Sequence, residues 1–163
     1  PFDKGTFKQE LKLQTGDVTL TGNVGKTAAQ VHIWVDVFQP VLHVEISSNT
    51  KLTAEASYEN WRFADRRPKG KENNQNSYKW APQGDVVTRR DSIAFRSQTV
   101  EFYHQNRSQT VFDVAVQQQG LAGAKAQLYN PLAGLIFGGA MQGSNMQPAG
   151  TTSGQYLNTL YHG

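Results

Sequence analysis

No cysteine occurs among the 163 residues, which excludes disulfide frameworks, thiol nucleophiles and Cys-based metal sites. No apolar run approaches the roughly 18 residues that cross a bilayer, and Pro1–Gly5 does not have the pattern of a signal peptide. Also missing are a Gly-x-Ser-x-Gly elbow, a His-Glu-x-x-His pair and any internal repeat of fixed period. The most telling shortage is of charge. From Gly120 to Gly163 the only Lys, Arg, Asp or Glu is Lys125, and Leu132 to Met141 runs Leu-Ala-Gly-Leu-Ile-Phe-Gly-Gly-Ala-Met. A free-standing soluble domain spreads its charges, because its whole surface meets water. A bare end of this kind implies a piece of a larger protein, with the tail laid against another part of it.

Hydrophobic residues make up 37% of the chain, and glycine adds 15 positions. That composition is globular and is enough for one domain, residues 1–163, with a sizeable core. The formal charge of +3 is a small imbalance and only a weak argument for nucleic acid, which is not expected as a partner. Nine of the sixteen Lys and Arg fall between Arg62 and Arg96, interleaved with Phe63, Tyr78 and Trp80. Single-strand binders use such a mixture, but Asp65, Glu72, Asp85 and Asp91 interrupt it. A solvated, mixed-charge loop over Asp65 to Gly84 is the simpler reading.

Period-two alternation dominates the first half. Val31, Ile33 and Val35 alternate with His32, Trp34 and Asp36; Leu42, Val44 and Ile46 alternate with His43, Glu45 and Ser47. With a turn at Val37-Phe38-Gln39-Pro40, pairing of 36 with 41 sets 35 against 42, 33 against 44 and 31 against 46. Every such pair is apolar on apolar. Phe7–Gln14 and Val18–Gly22 read as strands joined at Thr15-Gly16-Asp17. A strand is expected from Leu52 to Trp61, and others at Ser92–Phe95, Thr99–Gln105 and Val111–Gln117, the last with Phe112, Val114 and Val116 inward. No segment has clear helical periodicity. Gln117–Leu128 has the length of a short helix, against which Gly120 and Gly123 argue. The class is all-β, an antiparallel β-sandwich.

Gly22-Asn-Val-Gly-Lys-Thr27 has the ending of a phosphate-binding loop, but Leu20 stands where a glycine is needed and a strand pattern follows instead of a helix. A hairpin turn accounts for it. On the hairpin register, His32 faces Glu45 and Trp34 faces His43. Polar cross-strand pairs explain this more economically than a metal site. Trp34 and Trp61 fall on nominally solvated faces, where a tryptophan covers something: a sugar, a domain interface or a second sheet. His104 and Asn106 close the strand Val100–Gln105, either bonded to nearby backbone or at a cleft edge. Asn106-Arg107-Ser108 matches a glycosylation sequon. The carboxylates have no spacing that marks a catalytic pair.

Several blocks together carry a resemblance: Phe7-Lys-Gln-Glu-Leu-Lys-Leu13, Val31-His-Ile-Trp-Val-Asp36 with Pro40-Val-Leu-His-Val-Glu45, Tyr58-Glu-Asn-Trp-Arg62, Phe102-Tyr-His-Gln-Asn106, Gln119-Gly-Leu121 and Phe137-Gly-Gly139. In order and spacing they resemble domain of unknown function 5703, which is similar to the N-terminal β super-sandwich of multidomain glycoside hydrolases such as the family 95 α-L-fucosidases. The family signature Tyr-His-Arg-Asn has Gln105 here in place of the arginine, so that arginine's role does not carry over. The resemblance implies an incomplete super-sandwich without catalytic residues, cofactor or metal. It implies that the domain packs on a C-terminal (α/α)6 barrel and walls a carbohydrate cleft in a secreted or periplasmic protein. The surface residues expected for that role are Trp61, Arg62, His104 and Asn106, with Trp34 and Trp80 after them. A stand-alone carbohydrate-binding module or a structural sandwich is the alternative.

Overall fold

Residues 2–67, 69 and 87–163 are described by a computed structural model; Trp80 and Tyr78 lie outside them. The chain is all-β with antiparallel, open sheets, and divides into two units, Pro1–Ala56 and Ser57–Gly163.

The first unit is a four-stranded meander of β1 (Thr6–Lys12), β2 (Asp17–Val24), β3 (Thr27–Val35) and β4 (Leu42–Ser48), paired in that order. Gly16 and Gly25, at φ +70° and +57°, supply the left-handed residues of its first two turns. Gly25 sits in the turn that joins Val24 to Thr27, so the loop-like Gly22–Thr27 segment is a hairpin. The third turn is held by Asp36, whose Oδ1 accepts from the Phe38 and Gln39 amides at 2.7 and 3.0 Å. These bonds hold the Asp36 carboxyl below its usual range. The β3–β4 register is the expected one, with Val35 opposite Leu42, Ile33 opposite Val44 and Val31 opposite Ile46. With Leu11, Val18, Leu20 and Phe7 these residues form one apolar face. Much of it is uncovered: Phe7, Leu11, Val35, Leu42, Val44 and Ile46 are each at least half exposed.

The second unit holds a sheet of β5 (Ser92–Arg96), β6 (Thr99–Gln105) and β7 (Ile136–Met141) and a hairpin of β8 (Ser153–Tyr156) and β9 (Thr159–His162). Between β6 and β7 lie helix α1 (Val111–Gln118) and a 3-10 turn at Ala122–Gln127. Gly138 and Gly139 give β7 a bare surface. A Cβ at Gly139 would stand 3.0 Å from the Phe102 ring, and one at Gly138 would strike the Phe102 carbonyl and Tyr103. Phe102, lying over Gly139, stacks on Tyr58 with ring centroids 3.8 Å apart.

Two expected strands are corrected. Val111–Gln117 is helical, because its ends carry stronger signals than the alternation of Phe112, Val114 and Val116. At the start, Asp113 Oδ2 accepts from the Thr110 amide at 2.6 Å and from its hydroxyl at 2.9 Å. At the end, Gly120 takes φ +71°. The Gly120 amide then donates to the Gln117 carbonyl and Leu121 to that of Val116, a Schellman stop. Gly120 terminates a helix instead of preventing one. Val116 is buried, which stabilises the unit by about 1.5–3 kcal/mol. The second correction is Leu52–Trp61, which lies outside any strand and holds only an isolated bridge at Asn60. Asn49 ends β4 by turning inward, its side chain accepting from Ala28 N at 2.8 Å and donating to Lys26 O at 2.9 Å.

Candidate functional site

Three polar residues of the second unit, Arg62, His104 and Asn106, gather around one buried carboxylate, Asp91. It directly precedes β5, and because Ser92 pairs with Tyr103, the register sets Asp91 against His104. One strand further, His104 pairs with Phe137. The side chains follow this row. His104 Nδ1 lies 2.7 Å from Asp91 Oδ1, and its ring lies 5.1 Å from that of Phe137. Arg62 closes the group from outside the sheet. Its Nε lies 3.0 Å from Asp91 Oδ1, its Nη2 donates to Oδ2 at 3.0 Å, and its guanidinium stands 5.2 Å from the Phe137 ring centroid. A backbone bond from the Asp91 amide to the Arg62 carbonyl, 2.8 Å, fixes the two segments together.

The Asp91 side chain is 2% exposed and that of His104 11%, whereas Arg62 at 39% keeps one side in water. A carboxylate so buried costs several kcal/mol unless paired, and here both oxygens are engaged. Asn106 orders the other edge of the imidazole. Its Nδ2 donates to the Leu132 carbonyl at 3.0 Å, which turns Oδ1 toward His104 Nε2 at 3.2 Å. Both ring nitrogens therefore face side-chain oxygens, Asp91 Oδ1 on one edge and Asn106 Oδ1 on the other. Burial, with the negative charge of Asp91 added, pushes the Tyr58 hydroxyl up.

Of the residues singled out from the sequence, Arg62, His104 and Asn106 come together. The Asn106 amide of the sequon is spent on Leu132 O, so the side chain is held inward. Trp61 is 42% exposed and tilted against Tyr161, centroids 5.7 Å apart. Trp34 belongs to the first unit, between His32 and His43 at 4.8 and 4.7 Å, the latter stacked. In the same unit His32 Nε2 reaches Asp17 Oδ2 at 3.1 Å, and Thr15 and then His32 hold Asp17 below its usual range. Trp80 lies outside the described residues. Asp91, the hub, stands in the sequence only as one of the acidic residues that interrupt a basic stretch. The two-residue turn between Arg96 and Thr99 carries the signal that finds it, since counting back from that turn sets 91 opposite 104.

Chemically, Arg62, Asp91, His104 and Asn106 form a clasp. Each polar end of Asp91, His104 and Asn106 has a partner within the unit, and among the described residues no buried side-chain polar atom lacks one. Nor do three His, Asp or Glu residues gather to hold a metal ion among the described residues. Beside the clasp is a concavity of about 320 Å³, into which Asp91 presents one side. Asn60 anchors its floor: its backbone pairs with His162 in both directions, and its Oδ1 accepts from the Arg62 amide at 2.8 Å. The ring of Phe63 lies against His162, centroids 4.1 Å apart, along one wall.

A family model described as "Domain of unknown function (DUF5703)" matches residues 1–163. The chain belongs to this family. The whole described β framework, clasp included, falls within the family's domain. No curated protein and no solved structure matches the chain. Among the described residues no helix is long and apolar enough to cross a membrane.

Proposed function

We propose that this chain is a non-catalytic β-sandwich domain of a carbohydrate-active enzyme, packing on a C-terminal catalytic barrel of the (α/α)6 kind and walling its sugar cleft. The observation that carries this reading is the state of the clasp. Glycoside hydrolysis needs a carboxylic acid and a second carboxylate free to act on substrate. Among the described residues the best-buried carboxylate, Asp91, is bound on both oxygens by Arg62 and His104. It has the surroundings of a structural anchor. The uncovered apolar face of β1–β4 supports a domain that packs against further protein. The ordered blocks from Phe7-Lys-Gln-Glu to Phe137-Gly-Gly, similar to those of the family 95 super-sandwich, supply the enzyme class. On this reading the parent is secreted or periplasmic.

The native gene product tests it. Assayed on a panel of aryl glycosides, it is expected to hydrolyse at least one, while residues 1–163 alone hydrolyse none. Trp61→Ala in the native protein is expected to weaken packing of the domain and lower activity. Hydrolysis by residues 1–163 alone, or a native product inert on every glycoside, overturns the proposal. A second reading, a stand-alone carbohydrate-binding module, is favoured by the concavity beside the clasp and by exposed Trp61; it predicts sugar binding by a native chain with no hydrolase attached.

A further inference from the structure

The concavity of the second unit has a chemical bias that the clasp creates. Asp91 lines it, but its charge is neutralised from behind by Arg62. The Asn60 amide, also at its floor, is spent on the Arg62 backbone. The polar and aromatic lining residues left to a ligand are Arg90, Thr151, Thr152 and Ser153, with the Phe63–His162 ring pair. Arg90 is tied down at its backbone, whose amide donates to Asp65 Oδ1 at 2.8 Å. The other Asp65 oxygen is taken by Arg89 Nη1 at 2.7 Å. Among the described residues no carboxylate pairs with the Arg90 guanidinium. The lining therefore brings together one cationic residue with no carboxylate partner among the described residues, three hydroxyl-bearing residues and an aromatic pair, in a volume that suits a monosaccharide unit.

From this we infer that the concavity binds a hexuronate unit, a sugar carrying a carboxylate, with the carboxylate on Arg90. Each element has its counterpart in the ligand. A planar guanidinium matches a carboxylate with two parallel hydrogen bonds. Small hydroxyls both donate to and accept from ring hydroxyls. The Phe63–His162 pair takes the apolar C–H face of the pyranose. A neutral hexose meets the hydroxyls and the ring pair but leaves Arg90 unanswered; a bare carboxylate meets Arg90 alone. The inference rests on the carbohydrate reading above and adds the charge of the sugar.

The test is a titration of residues 1–163, followed by NMR, with glucuronate, galacturonate, glucose, galactose and acetate. At least one hexuronate is expected to bind about tenfold or more tightly than its neutral hexose and than acetate. Arg90→Gln is expected to erase that preference and leave the residual affinity of the hexose. Thr151→Val is expected to weaken hexuronate and hexose alike, and it keeps the test alive should Arg90→Gln fail to fold. Equal binding of hexuronate and hexose, or a preference that survives Arg90→Gln, overturns the inference and leaves the carbohydrate reading standing. Acetate binding as tightly as the hexuronates overturns it by reducing the site to an anion site. Binding of none of them overturns it as well, while the hydrolase-domain reading is decided separately by the glycoside assay of the native protein.

Discussion

Asp91 and His104 meet across the β5–β6 hairpin at 2.7 Å, one residue beyond the last pair of the ladder, Ser92 with Tyr103. The contact makes a sheet end, the weakest part of a ladder, the most polar point of the unit's interior. It also ties Arg62, 29 residues upstream of Asp91, to the sheet.

Asp91→Ala should be among the most destabilising substitutions in the second unit. It leaves His104 buried without its carboxylate, while Arg62, more than a third exposed, recovers water. The expected loss is about 3 kcal/mol, the low end for breaking a buried pair, read from the urea midpoint. His104→Ala should cost less, because Arg62 still holds both oxygens of Asp91. Equal losses would show that Arg62 does not compensate.

Gly138→Ala and Gly139→Ala separate two kinds of close approach. At 139 the new methyl meets the Phe102 ring at 3.0 Å, and the ring can yield by a few tenths of an ångström. At 138 it meets the backbone of the neighbouring strand, which cannot. Overpacking of this kind costs about 1–3 kcal/mol, with Gly138→Ala at or beyond the upper end. Thermal unfolding of the two variants checks the order.

Asp113 confers an acid limit on α1. Lys125, whose Nζ lies 2.6 Å from Oδ1, and the Thr110 amide lower its carboxyl to about 2 from the usual 3.8. The unfolded chain takes up this proton at higher pH than the folded one. The contribution is therefore complete above about pH 4 and is lost as pH falls toward 2. Amide exchange of Val116 should accelerate through that window in the native sequence. In Asp113→Asn it should be faster throughout, without that dependence, since removing a cap costs about 1 kcal/mol.

Gly120→Ala tests the helix stop. At φ +71° the added Cβ is strained although nothing crowds it. The expected cost is about 1–2 kcal/mol, seen as lost helical circular dichroism before global unfolding. An unchanged melting curve would mean that the Schellman turn does not hold α1 in place.

The parts of the fold that were legible share one property: local pattern and turn chemistry agreed. In β3–β4 the apolar pairs and the Asp36 turn specified one register, and the structure has it. Phe112, Val114 and Val116 misled because period-two alternation over six residues also fits a helix, and Thr110, Asp113 and Gly120 carried the deciding information at its ends. The β7 run, Ile136–Met141, read as bare tail because two glycines erase any alternation, although their absence of side chains is what admits Phe102. The four-residue β8 and β9 were too short to register as a pattern. At the clasp, the blocks that carry the resemblance single out Arg62, His104 and Asn106, which the structure brings together, but Asp91 became visible only through pairing, since a contact across a hairpin leaves no mark on nearest neighbours.

The four-stranded sheet of the first unit has two unlike borders. β1 carries Lys8, Glu10 and Lys12 along one face, with Lys8 and Glu10 paired at 2.6 Å, and such charges discourage the docking of another strand. β4 has Glu45 as its only comparable guard, between exposed Leu42, Val44 and Ile46. Prepared apart from any protein that covers it, the domain will therefore self-associate preferentially along β4. A lysine placed at Ser47, on the polar side of that strand, is the change that would keep it monomeric.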